Sequence, residues 1–136
     1  MVNGALEVNA VARPLRVLLI EDHPDLAAAT ADVLEAEGLD VRTALAGRDA
    51  LTIAASFQPQ LLLCDMNLPD MSGLDVVRAL RSNPSTARAY VAILTGMPRM
   101  GGTQLAGVDL CVTKPITLEV IEMLVEAAKL KADNPA

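Results

Sequence analysis

The chain has 136 residues, a formal net charge of −6, 52% hydrophobic residues and 1% aromatic residues, which points to a single domain with a core built from aliphatic and methionine side chains. The negative charge argues against nonspecific nucleic-acid binding by the domain, and no apolar run reaches the length of a membrane span. No basic region followed by an apolar stretch marks a signal peptide, and Cys64 and Cys111 lie inside apolar strand-like runs, the pattern of buried free thiols in a cytosolic protein.

Residues 1–13 show no clean period and are expected to form a flexible tail or linker. Arg16–Ile20 reads as a first strand, which ends in the adjacent acids Glu21 and Asp22. Pro24 suits a first helical turn. Leu26, Thr30, Val33 and Leu34 recur at helical spacing, and Gly38 closes that helix. Asp40–Ala44 is a short second strand. Ala46–Phe57 is a second helix with Ala50, Leu51 and Ala54 inward, ended by Pro59. The run Leu61-Leu62-Leu63-Cys64 then leads straight into Asp65, as in a strand buried on both faces of a parallel sheet. Asn67, Leu68 and Pro69 break it. Ser72–Ser82 is a third helix, with Leu74, Val77 and Leu80 or Arg81 in register, broken by Asn83-Pro84. Tyr90–Leu94 is a fourth strand ending in Thr95-Gly96, and Leu110–Thr113 a fifth ending in Lys114-Pro115. Thr117–Lys131 is the last helix, so the domain spans 14–131 and 132–136 form a C-terminal tail.

Strands alternating with helices predict an α/β fold, a doubly wound five-stranded parallel sheet with helices on both faces. In such a sheet the strand ends project from one edge, where ligands bind. Glu21, Asp22, Asp65, Thr95 and Lys114 all stand there. Three carboxylates brought together repel unless a cation neutralises them. Hard oxygen donors favour a magnesium-type ion that keeps several waters. His23, alone beside Pro24, reads as an exposed loop residue rather than a ligand.

The chain resembles a response-regulator receiver domain of two-component signalling. The motifs are Glu21-Asp22, Asp65 with Met66-Asn67-Leu68-Pro69-Asp70-Met71-Ser72-Gly73, Thr95-Gly96 and Lys114-Pro115. Each is weak alone; in this order, each at a strand end, they are specific, and the resemblance covers roughly 15–131. It implies the flavodoxin-like strand order 2-1-3-4-5. It implies that Asp65 accepts a phosphoryl group from the phosphohistidine of a histidine kinase or histidine phosphotransfer protein. Asp22, Asp65 and the carbonyl of Asn67 would hold Mg2+, with Glu21 acting mostly through water. Thr95 and Lys114 would contact the phosphoryl oxygens, and Lys114-Pro115 would carry a cis peptide. The chain would then be a cytoplasmic phosphoacceptor rather than an enzyme, with at most slow self-dephosphorylation. With no output motif after Lys131, it would be a single-domain regulator or a receiver excised from a hybrid kinase.

Two departures from the family stand out. The family often has an aromatic on the fifth strand where this chain has Cys111, so output through a threonine–aromatic swing is not expected. The segment between Thr95 and Lys114 is shorter than usual and carries Gly101, Gly102, Gly107 and Pro98, poor helix formers. It is expected to hold a short, irregular or mobile helix whose ordering acts as the switch, or else a trimmed loop. In the last helix, Leu118, Ile121, Val125 and Ala128 make a core stripe. A second stripe of Val120, Met123, Ala127 and Leu130 is either spill-over in a very apolar chain or a docking or homodimer surface.

Rival chemistries fit less well. A haloacid-dehalogenase-like phosphatase also uses a strand-end Asp with magnesium, but wants a second Asp where Asn67 stands. A flavodoxin-type FMN site wants a Ser/Thr/Gly-rich loop after the first strand, and Glu21-Asp22-His23-Pro24-Asp25 would repel phosphate. A degenerate receiver would lack a site residue, and none is missing.

Overall fold

The computed structural model describes residues 13–97 and 105–134. Among the described residues there are five strands and four helices, in the order β1 (Arg16–Ile20), α1 (Pro24–Ala36), β2 (Asp40–Ala44), α2 (Gly47–Phe57), β3 (Leu61–Asp65), α3 (Gly73–Ser82), β4 (Tyr90–Thr95), β5 (Leu110–Thr113) and α4 (Leu118–Asp133). All pairings are parallel and the order is β2-β1-β3-β4-β5, the doubly wound sheet that the sequence predicts.

Side chains alternate across each strand, and the core divides accordingly. Val17, Leu19, Leu61, Leu63, Ala92 and Leu94 pack with Leu34 of α1 and Ile121, Leu124 and Ala128 of α4. Leu18, Ile20, Leu62, Cys64, Val91 and Ile93 pack on the other face with Ala50 and Ala54 of α2 and Val76, Val77 and Leu80 of α3. β3 is buried along its whole length. This central strand is therefore the rigid support on which Asp65 ends, each fully buried Leu adding roughly 2 kcal/mol.

Helix boundaries fall within two residues of the predicted ones, but two faces differ. In α1 the buried residues are Ala27 and Leu34, whereas Leu26 is 46% exposed and Val33 is also exposed. In α4 the buried residues are Ile121, Leu124 and Ala128, while Leu118 is exposed. Both helices are apolar at so many positions that spacing alone leaves the inward face uncertain by about one residue, or about 100°. α4 also continues to Asp133, two residues past the predicted end at Lys131. Gly38 ends α1 with φ +86°, a backbone region suited to glycine. The predicted helix or mobile switch between Thr95 and Lys114 falls largely on 98–104, outside the described residues; 105–109 form a turn leading into β5. Among the described residues, no helix is long and apolar enough to cross a membrane.

Arg81 at the end of α3 ties down the base of β5. Its guanidinium donates to the carbonyl oxygens of Ala87, Ala89 and Gly107 and pairs with Asp109 at 3.0 Å. Asp109 in turn accepts from the Val91 N–H at 2.8 Å. This network fixes the register of the edge strand that presents Lys114.

Candidate functional site

Each predicted site residue lies at the carboxyl end of a strand or in the loop just beyond. Glu21 and Asp22 follow β1, Asp65 ends β3, Asn67 lies in the β3–α3 loop, Thr95 ends β4 and Lys114 follows β5. Glu21 is 2% exposed and Asp65 7% exposed. A carboxylate so buried needs a partner. Lys114 supplies it to both: its Nζ donates to Glu21 Oε1 at 2.9 Å and to Asp65 Oδ2 at 2.9 Å. The Lys114 backbone N–H donates to the Thr95 carbonyl at 2.7 Å, and the Lys114-Pro115 peptide is cis, as the resemblance implies. The Thr95 hydroxyl accepts from the Met97 N–H at 3.2 Å.

These contacts set the charge states. Burial alone raises the pKa of Glu21, but hydrogen bonds from Lys114 and from the His23 backbone and ring outweigh it and hold the carboxyl at about 2. Burial lowers the Lys114 pKa, yet its bonds to Asp65 and Glu21 raise it overall. His23 is exposed, as the sequence suggests, but is not idle. Its Nδ1 lies 3.1 Å from Glu21 Oε2 and 3.3 Å from Asp22 Oδ1, and the bond to Glu21 raises its pKa. Burial, then the Asp65 charge, push the Cys64 thiol up to about 12, so this neighbour stays protonated and inert.

Ligand atoms of Glu21, Asp22 and His23 all lie within 4.8 Å of one another, the one such group among the described residues. Asp65 is brought instead onto Lys114. Three carboxylates thus face one ammonium and one imidazole. That donor set, mostly carboxylate oxygen and in excess over its cations, fits a hard divalent ion such as Mg2+.

The β3–α3 loop folds back on Asp65. The Asn67 N–H donates to Asp65 Oδ1 at 3.3 Å, the Gly73 N–H to the Met66 carbonyl at 2.7 Å, and Asn67 bridges Ser72. Ser72 and Asp75 form a capping box at the start of α3. Gly73 is required here because a Cβ would drive into the Asp65 carbonyl oxygen.

The model of the response regulator receiver domain matches residues 17–126. The chain belongs to this family. The receiver domain is 37% identical over 123 residues to the probable transcriptional regulatory protein TcrX of Mycobacterium tuberculosis, covering 87% of this chain and 51% of that protein. It spans about half the length of the curated relatives it matches. Among solved structures, the receiver of a putative LuxO repressor from Vibrio parahaemolyticus is 32% identical with a TM-score of 0.72, covering 88% of this chain and 96% of that one. A receiver from Clostridium thermocellum shares the fold at 24% identity, with a TM-score of 0.81 over 90% of this chain and 99% of that one. It is therefore a signalling domain of two-component systems, with Cys111 half-buried on β5.

Two residues of this receiver domain have roles that the sequence did not reveal. Asp70 accepts hydrogen bonds from the Gly47 and Arg48 N–H groups at the start of α2, a contact across more than twenty residues with no local signal. Arg81, read as one of two choices for a helix face, anchors three carbonyls instead.

Proposed function

We propose that this receiver domain takes a phosphoryl group from the phosphohistidine of a histidine kinase or histidine phosphotransfer protein onto Asp65. The observation that carries the reading is the single ammonium of Lys114 bonded to both Asp65 and Glu21 at the strand ends. An Asp65 carboxylate oxygen attacks phosphorus, the P–N bond breaks, and the imidazole leaves with the bonding pair and takes up a proton. The product is an acyl phosphate. Lys114 turns from Glu21 and Asp65 toward the phosphoryl oxygens, and the Thr95 hydroxyl donates to another. Asp22, Asp65 and the Asn67 carbonyl would hold Mg2+, with Glu21 acting through water. When bound, the ion neutralises charge on the phosphoryl oxygens. The chain is a phosphoacceptor, with at most slow self-dephosphorylation. We place it in the cytoplasm, in keeping with its free thiols, with no direct nucleic-acid contact by this domain, given its net charge of −6. We take the domain to span 14–131 between two tails; single-domain regulator and piece of a larger regulator or hybrid kinase both suit it.

Magnesium is expected to raise the melting temperature of the metal-free protein, by several degrees when the ion is in hundredfold excess over its Kd, a stabilisation of about 2.7 kcal/mol. Asp22→Ala removes most of that response. A wild-type melting curve unmoved by Mg2+ would count against the metal site.

The second stripe of α4 supports self-association. Met123 is 50% and Leu130 62% exposed, with Val120 and Ala127 half-buried beside them. Like stripes on two copies can pack about a twofold axis. Met123→Glu should shift sedimentation toward the monomer. If sedimentation and kinase affinity both stay unchanged, the stripe is ordinary surface.

A further inference from the structure

The start of α2 has no cap of its own. Its N-cap residue is Ala46, in an extended conformation and without a side-chain bond to the helix. The first N–H groups of a helix need acceptors, and here the acceptor comes from another element. Asp70 Oδ1 accepts from the Gly47 N–H at 2.8 Å and Oδ2 from the Arg48 N–H at 2.9 Å. The neighbouring Met71 seals the joint: a Cβ on Gly47 would lie 2.5 Å from its Cγ and 2.7 Å from its Sδ. The Leu68 N–H, in turn, donates to the Met71 carbonyl at 3.2 Å. The chain of contacts therefore runs from α2 through Asp70 and Met71 to the turn that carries Asn67 and closes over Asp65.

We propose that Asp70 is a positioning residue, which latches the β3–α3 loop to α2 and so holds Asn67 and Asp65 in the geometry that binds the divalent cation. The inference rests on the metal reading given above. The charge of Asp70 suits the role: the Arg48 and Gly47 N–H groups lower its pKa, so the latch is ionised and closed at neutral pH. Outer partners of metal ligands commonly set affinity in this way, and removing one costs roughly 10- to 100-fold.

Calorimetric titration with MgCl2 of the wild type, Asp70→Ala, and Asp70→Ala combined with Ala46→Ser tests it. The Ala46→Ser change gives α2 a cap of its own without restoring the bridge. The expected result is about tenfold weaker Mg2+ binding in both variants, with the melting temperature recovered in the double variant alone and faster amide exchange across 66–72 in both. Asp70→Asn, which keeps one acceptor oxygen, should fall between and serves if the alanine variant does not fold. Unchanged affinity in Asp70→Ala, or affinity restored by adding Ala46→Ser, overturns the latch and leaves Asp70 as a helix cap only. Wild-type protein that binds no Mg2+ overturns both the latch and the metal reading beneath it.

Discussion

Lys114→Met is expected to destabilise the metal-free protein by about 3 kcal/mol at neutral pH, because it strands two buried carboxylates. Glu21 and Asp65 each lie 2.9 Å from the ammonium, and both are largely buried. The lower end of the range for broken buried pairs applies, since Lys114 keeps a quarter of its side chain exposed. The variant should also respond differently to acid. In the wild type Glu21 has a pKa of about 2, against an ordinary value of 4.5. A depressed carboxylate stabilises the fold above its unfolded pKa, and that contribution is lost as pH falls through the folded one. Wild-type stability should therefore decline between pH 4.5 and about 2. Without the Lys114 bond the depression shrinks, and the decline becomes shallower. Urea unfolding at neutral pH and thermal melts across that window measure both effects. Equal stability of the two proteins, within about 0.5 kcal/mol, would show that the ammonium does not hold the site together.

The elements were legible where one signal ruled. The run Leu61-Leu62-Leu63-Cys64 reads as a strand buried on both faces, and it is one. The strand ends followed from it, since parallel strands fed by helices all finish at one edge, and this brought Glu21, Asp65, Thr95 and Lys114 into one neighbourhood. What the sequence could not supply was pairing between elements. Nothing local says that Lys114 takes Glu21 as well as Asp65, or that His23 bridges Glu21 and Asp22. Asp70 looks like a turn residue, and its structural role lies on a helix more than twenty residues upstream. The faces of α1 and α4 were uncertain for a different reason. Where Ala, Val and Leu occupy most positions, spacing does not decide which residue points inward, and the sheet admits the small Ala27 in place of Leu26.

That contrast shapes how the site works. Most of its rigidity comes from β3 and from backbone bonds around Gly73, while its two buried carboxylates, Glu21 and Asp65, share a single lysine side chain. A group arriving on Asp65 meets a preformed edge and needs chiefly a redistribution of that ammonium, which suits phosphoryl transfer, a reaction governed by position and charge.

Intact-mass measurement after treatment with acetyl phosphate and Mg2+ tests whether Asp65 accepts the phosphoryl group. The wild type is expected to gain the mass of one phosphoryl group and Asp65→Asn to gain none. The amide is isosteric but is no nucleophile toward phosphorus. Equal labelling of the two proteins would contradict the assignment of Asp65 as the phosphoacceptor.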